Sequence, residues 1–108
     1  MDDNRLTLHK MTIDGIPYDD DWLVMWRKLP IGRILRKSGV AWGQPGWWWG
    51  INFDGRPQTE NMRSTGRDLT ECQAAFETAW ATYRVKITDI DVARARRREA
   101  AAERRVRH

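Results

Sequence analysis

The segment Trp42-Gly43-Gln44-Pro45-Gly46-Trp47-Trp48-Trp49-Gly50-Ile51-Asn52-Phe53-Asp54-Gly55 holds four of the chain's seven tryptophans and four of its eight glycines. Successive side chains of an extended strand point to opposite faces, so the segment sorts itself at period two. Trp47, Trp49, Ile51 and Phe53 fall on one face, which is apolar throughout and calls for a core. Trp48, Gly50 and Asn52 fall on the other, where one large ring sits beside a glycine and an amide, as on an exposed platform. The glycines and the proline ahead of Trp47 belong to a loop running from Ser38 to Gly46.

Working upstream, Trp22 to Lys28 reads as a strand. Trp22, Val24 and Trp26 share one face and Leu23, Met25 and Arg27 the other. Two largely apolar faces suit a strand covered on both sides. Leu29-Pro30-Ile31-Gly32 reads as a turn, and Arg33 to Lys37 as a second strand with its cations leaning outward. Residues 1–21 are expected to be extended, or an edge strand, because Leu6 and Leu8 alternate with Thr7 and His9. Asp14-Gly15-Ile16-Pro17 is a turn signal. Asp19-Asp20-Asp21 reads as a solvated acidic cluster that blunts the start of the next strand. Three consecutive carboxylates on an extended chain do not converge on one cation, so metal binding is not expected there.

Downstream, Asp54-Gly55-Arg56-Pro57 is a turn, and Gln58 to Gly66 is a polar loop with room for a short extra strand. Asp68-Leu69-Thr70-Glu71 then fits a capping box, in which the first side chain accepts from the Glu71 amide and Glu71 reaches back to the cap. Leu69, Cys72, Phe76, Ala79, Trp80, Tyr83 and Ile87 recur at three- and four-residue steps, predicting a helix from Leu69 to about Lys86. Its apolar stripe is expected to lie on the face made by Trp47, Trp49, Ile51 and Phe53. Thr88-Asp89-Ile90-Asp91 either caps a second helix or lets the first run on. The Ala- and Arg-rich residues beyond have high helix propensity. There Ala95, Ala102 and Val106 make only a thin apolar stripe, while Arg94, Arg97, Arg98, Arg104 and Arg105 gather on another side. Arg96–Glu99 and Glu103–Arg107 are spaced for ion pairs. Such a tail is expected to fray alone and to order on a partner. The predicted fold is therefore α+β. A β-β-β-α domain over residues 1–88 has a three-stranded antiparallel sheet, four-stranded if the N-terminal segment joins it, with one amphipathic helix across it. Residues 89–108 form a basic helical or partly disordered tail.

Length and charge bound the function. A chain of 108 residues fits one domain. Its net charge is +4, and residues 89–108 carry seven of the nineteen Lys and Arg against four acids, so basicity is concentrated in the tail. That asymmetry points to an interaction arm. Cys72, the one cysteine, forms no internal disulfide and sits on the apolar helix stripe as a small buried hydrophobe. No apolar run approaches the roughly 20 residues of a membrane helix, and the acidic start lacks a signal-peptide core. A cytoplasmic protein without membrane contact is expected. His9 and His108 lie in no metal-ligand spacing, and the glycines form no phosphate-binding loop. Neither enzymatic activity, nor a metal, nor a cofactor is expected.

An aromatic platform among guanidiniums is what nucleic-acid binding uses, with stacking from the ring and phosphate contacts from the cations. Trp48, with Arg33, Arg36, Lys37 and Arg56 on the neighbouring sheet and Arg94, Arg97, Arg98, Arg104 and Arg105 on the tail, form the candidate nucleic-acid interface. The alternative is a protein-interaction or structural adaptor, dimeric through its surplus aromatics or through the tail against an acidic segment.

Trp26, Ile31-Gly32-Arg33-Ile34, Trp47 to Ile51, Gly55 and Glu71 through Phe76 to Trp80 resemble a pattern found in a group of small uncharacterised bacterial and phage-borne proteins. The resemblance covers about residues 22–83 and implies a shared fold without an established activity. The order of three strands followed by a helix also resembles, in architecture alone, the AP2-like DNA-binding module. There a three-stranded sheet enters the major groove and the helix packs behind it. The third strand here carries far more tryptophan, and the loops differ, so no base-contacting role is carried over.

Overall fold

The computed structural model describes residues 5–106. Met1 to Asn4, Arg107 and His108 lie outside this range, and with them the acidic start and the expected Glu103–Arg107 pair; the side chain of Val106 is also outside the description. The chain is α+β. Five strands, β1 (Leu6–Ile13), β2 (Ile16–Trp26), β3 (Leu29–Arg36), β4 (Trp47–Ile51) and β5 (Arg63–Gly66), are followed by helices α1 (Leu69–Arg84) and α2 (Asp89–Val106). The strands form one antiparallel sheet in chain order, β1-β2-β3-β4-β5.

The N-terminal segment joins as the fourth strand for which the sequence leaves room, and a short fifth strand forms in the 58–66 loop. The N-terminal segment pairs along β2 from Leu6 opposite Trp26 to Ile13 opposite Ile16. β5, Arg-Ser-Thr-Gly, has no apolar residue to announce it; it pairs with Trp47 to Gly50 of β4. The Asp triplet is not a cluster ahead of a strand but lies inside β2. Alternation sends its carboxylates apart, so that Asp19 meets Lys10 at 3.1 Å, Asp20 meets Arg36 at 3.6 Å and Asp21 pairs with Arg33. Among the described residues no three acidic, histidine or cysteine side chains could hold a metal ion.

The turn expected at Leu29 to Gly32 occurs two residues earlier. Arg27 and Lys28 both adopt positive φ, 50° and 64°, and close a two-residue hairpin. Leu29-Pro30-Ile31-Gly32 is strand, and the ladder shifts register between Val24 and Met25, opposite Gly32 and Pro30. Proline inside a sheet is tolerated where a bulge releases its ladder position. A hairpin that needs two left-handed residues favours Asn-Gly, whereas Arg-Lys carries a Cβ penalty at each position. Lys28→Gly is therefore expected to stabilise the fold by about 0.5–1 kcal/mol, read as a rise in the urea midpoint. An unchanged or lower midpoint would show that the turn holds no strain.

The parity of the tryptophan segment is as expected, except that Trp47 packs against the core only half-buried. Trp49, Ile51 and Phe53 are buried, with Val24, Trp26 and Ile34 from the neighbouring strands, under the Cys72, Phe76 and Trp80 stripe of α1. Trp49 meets Phe76 edge-on at 5.9 Å, and Trp80 sits 5.3 Å from Trp26 and 6.2 Å from Phe53. Leu69, Ala79, Tyr83 and Ile87 extend the contact as half-buried residues. Asp68 caps α1 by accepting from the Glu71 amide at 2.8 Å. Glu71 does not return to the cap; it pairs instead with Arg67, at 2.9 Å. Burial leaves the Cys72 thiol wholly enclosed and pushes its pKa up to about 11, which makes it inert at neutral pH.

The reciprocal capping box occurs at α2. Thr88 Oγ1 accepts from the Asp91 amide at 3.2 Å, and Asp91 Oδ2 accepts from the Thr88 amide at 2.9 Å. The thin stripe noted in the sequence suffices to seat this helix because two residues join the main core: Ala95, 8% exposed, and half-buried Val92. Arg56 adds an ion pair to Asp91 at 2.6 Å. No helix among the described residues is long and apolar enough to cross a membrane.

Asp91 also carries a pH signature. Hydrogen bonds from Thr88 and the nearby Arg56 and Arg94 hold its pKa below the ordinary carboxylate value. A depressed folded-state pKa contributes stability at pH values above the unfolded value of about 3.9, and that contribution is lost as pH falls through the lower folded value. In an acid titration followed by circular dichroism, Asp91→Asn should start with less helix at neutral pH and lose less on acidification. Superimposable profiles for the two proteins would refute this role.

Candidate nucleic-acid interface

The even-numbered face of β4 is not open. Trp48 is half-buried, and its ring lies against Gly50, so close that a methyl group on Gly50 would sit 2.6 Å from one ring carbon. A glycine at this position is what leaves room for the indole. Gln58 is held beside it by donating from Nε2 to the Ile51 carbonyl at 2.7 Å. α2 passes over this same face, and between helix and sheet runs a cleft of about 620 Å³. The sheet side of the cleft contributes Leu23, Arg33 and Trp48, and α2 contributes Ala95, Arg98 and Ala102.

The structure thus brings Arg98, expected on a separate tail, to the Arg33 and Trp48 expected together on the sheet. Both guanidiniums are already engaged. Arg33 Nε donates to Asp21 at 2.7 Å, and this bond with Asp21 raises the arginine pKa further, fixing its charge. Arg98 reaches the turn Asp54-Gly55, donating to the Asp54 carbonyl at 3.2 Å with its Nε 3.4 Å from the carboxylate. The Asp54 side chain is only 5% exposed, and among the described residues its Oδ1 has the Arg98 ion pair but accepts no hydrogen bond. Arg33 still exposes about half of its side chain, 47%, and Arg98 66%, so each can keep its carboxylate and meet a second anion.

The remaining candidates divide. Arg56 is not on the platform. It lies at the junction of α1 and α2, where bonds to Tyr83 and Asp91 hold its charge and its guanidinium lies 5.8 Å from the Phe53 ring. Arg94 pairs with Asp91 at 3.7 Å and belongs to the same junction. These two are corrected to helix-docking groups; turns such as Asp54 to Pro57 fix chain direction, and sequence alone does not say which face a turn's side chains meet. Arg36 and Lys37 lie at the base of the 38–46 loop, with Asp20 and Trp42. Arg36 stands opposite Trp47 in the ladder and so on the core-side face beside Asp20, off the Trp48 platform, whereas the next residue, Lys37, is on the platform side. Arg97, Arg104 and Arg105 are exposed on α2 and hold no ion pair among the described residues.

Three cleft-lining groups were not singled out from sequence: Asp54, Gln58 and Glu99. The sequence marks Asp54 only by its turn signal and Glu99 only by its ion-pair spacing with Arg96. Trp42 was also passed over, because its loop offers no periodicity from which to read a face. No known protein family, curated protein or solved structure matches the chain.

Proposed function

We propose that this chain is a small non-enzymatic nucleic-acid-binding protein of the cytoplasm that takes an unpaired strand across its Trp48 face. The observation that carries this reading is the cleft itself: an indole packed against Gly50, with Arg33 and Arg98 lining the same cleft. A base stacking on the open side of the Trp48 ring would gain about 1–3 kcal/mol, and guanidiniums suit the flanking phosphates. The exposed Arg97, Arg104 and Arg105 supply a further, sequence-independent attraction. A major-groove mode of the AP2 kind needs an open sheet face, and α2 lies over part of this one. A single strand is the better fit.

Titration with mixed-sequence DNA and RNA oligonucleotides, followed by tryptophan fluorescence, tests the proposal. Quenching is expected to weaken steeply with added salt, and Trp48→Ala should lower affinity roughly ten-fold. A wild-type protein that shows no salt-sensitive response to either nucleic acid would overturn it. A protein-interaction adaptor is the second reading. It draws on Ile13, Ile16 and Tyr18, which are exposed where the β1–β2 hairpin runs past β3. A dimer mass by light scattering, with no oligonucleotide binding, would favour it.

A further inference from the structure

Trp42 is 100% exposed, the whole indole standing in water. It is nonetheless not on a slack loop. Gln44 N donates to the Ala41 carbonyl at 3.1 Å, and Gly43 between them has φ 84°. That is a β-turn with a positive-φ glycine in its third position, which sets Trp42 at the preceding corner. Below it Lys37 N donates to the Gly46 carbonyl at 2.7 Å, carrying the β3–β4 pairing into the loop. Trp42, Arg36, Lys37 and Asp20 line a concavity of about 590 Å³. Arg36 has only the longer contact to Asp20, at 3.6 Å, and Lys37 is exposed with no ion pair among the described residues.

The register connects this concavity to the cleft. Trp48 is paired with Leu35, and two positions further along the same ladder Lys37 meets Gly46. Alternation puts Lys37 on the Trp48 face, about 7 Å along the strand. Cation and ring therefore recur in one direction: Arg98 and Arg33 at Trp48, then Lys37, then Trp42 beyond it.

We propose that Trp42 is a second stacking anchor, and that an extended single strand runs from the Trp48 cleft past Lys37 to place a further base on Trp42, with Lys37 on its phosphates. The charge around the indole favours this occupant. The concavity offers only Val40 and Ala41 as apolar companions, too few for a membrane-inserting patch, whereas Lys37 at its base, a cation with no ion pair among the described residues, suits a polyanion. The inference rests on the nucleic-acid reading given above.

The test compares wild type, Trp42→Ala, Trp42→Phe and Lys37→Glu, binding single-stranded oligonucleotides long enough for both rings and duplexes of the same sequence. Vesicles of phosphatidylcholine with phosphatidylserine serve as the second probe. Trp42→Ala should bind the single strand roughly ten-fold more weakly, with an unchanged melting temperature because the indole buries nothing. Trp42→Phe should keep most of the affinity, and Lys37→Glu should lose affinity and flatten the salt dependence. Wild-type binding that Trp42→Ala leaves intact would overturn the second anchor while leaving the Trp48 cleft standing. Wild type binding no oligonucleotide would remove both. Trp42-dependent binding to the anionic vesicles alone would reassign the loop to a lipid surface and overturn the proposal.

Discussion

Replacing Trp80 with alanine is expected to lower the stability of the fold by about 3–5 kcal/mol, which for a domain of this size is a large part of the total. Trp80 has no exposed surface. Its ring lies 5.3 Å from Trp26 on β2, 6.2 Å from Phe53 beyond β4 and 5.9 Å from Tyr83 one turn along α1. Truncation removes the burial of a whole indole and leaves a cavity whose walls belong to separate elements, so collapse is incomplete. Denaturant unfolding measures the effect, and Trp42→Ala is the internal control: the same substitution, at a ring 100% exposed, should change stability by less than about 0.5 kcal/mol. A loss at Trp80 no larger than that at Trp42 would mean that α1 is not seated through this ring.

Gly32→Ala is expected to be comparably damaging, at least about 3 kcal/mol, for the opposite reason. A Cβ on Gly32 would meet the Gly50 carbonyl oxygen of the neighbouring strand and lie 2.5 Å from a carbon of the Phe76 ring. The ring could rotate, but the carbonyl belongs to the β3–β4 ladder and cannot give way without opening it. The absence of a side chain here is what lets α1 approach the middle of the sheet. Gly46→Ala is the control, because a Cβ there meets nothing within 4 Å. A soluble Gly32→Ala protein with the wild-type urea midpoint would show that helix and sheet are not packed as closely as described.

Where a side chain's direction follows from local periodicity, the fold was legible in the sequence. Trp49, Ile51 and Phe53 are buried as period two requires, and Cys72, Phe76 and Trp80 as the helical period requires. What was not legible depends on a partner distant in sequence. Arg27 and Lys28 carry no turn signal, and their left-handed conformation follows from the pairing of β2 with β3, which the local residues do not favour. The 58–66 loop left room for a short strand, but only the unpaired edge of β4 decides that Arg63–Gly66 is one. The candidate site followed the same division. Parity set Trp48 apart from the buried rings, but no local pattern could say that α2 crosses above it, that Arg98 shares its cleft, or that Arg56 turns away to Asp91. The acidic triplet is the sharpest case. Read as three adjacent charges it is a solvated cluster; placed on a strand it gives each of Lys10, Arg36 and Arg33 its own counter-ion.

Because spatial and chain order coincide across the sheet, each strand finds its partner in the segment just made. Hairpins can therefore zip one after another, and no strand has to wait for a distant piece of chain or thread between two already joined. The slow events of refolding should be the two helix dockings, first α1 across the tryptophan face and then α2 over the other. A nascent chain would present a nearly finished sheet before either helix had emerged, with its apolar face briefly uncovered, so the hazard of misassembly falls in that interval.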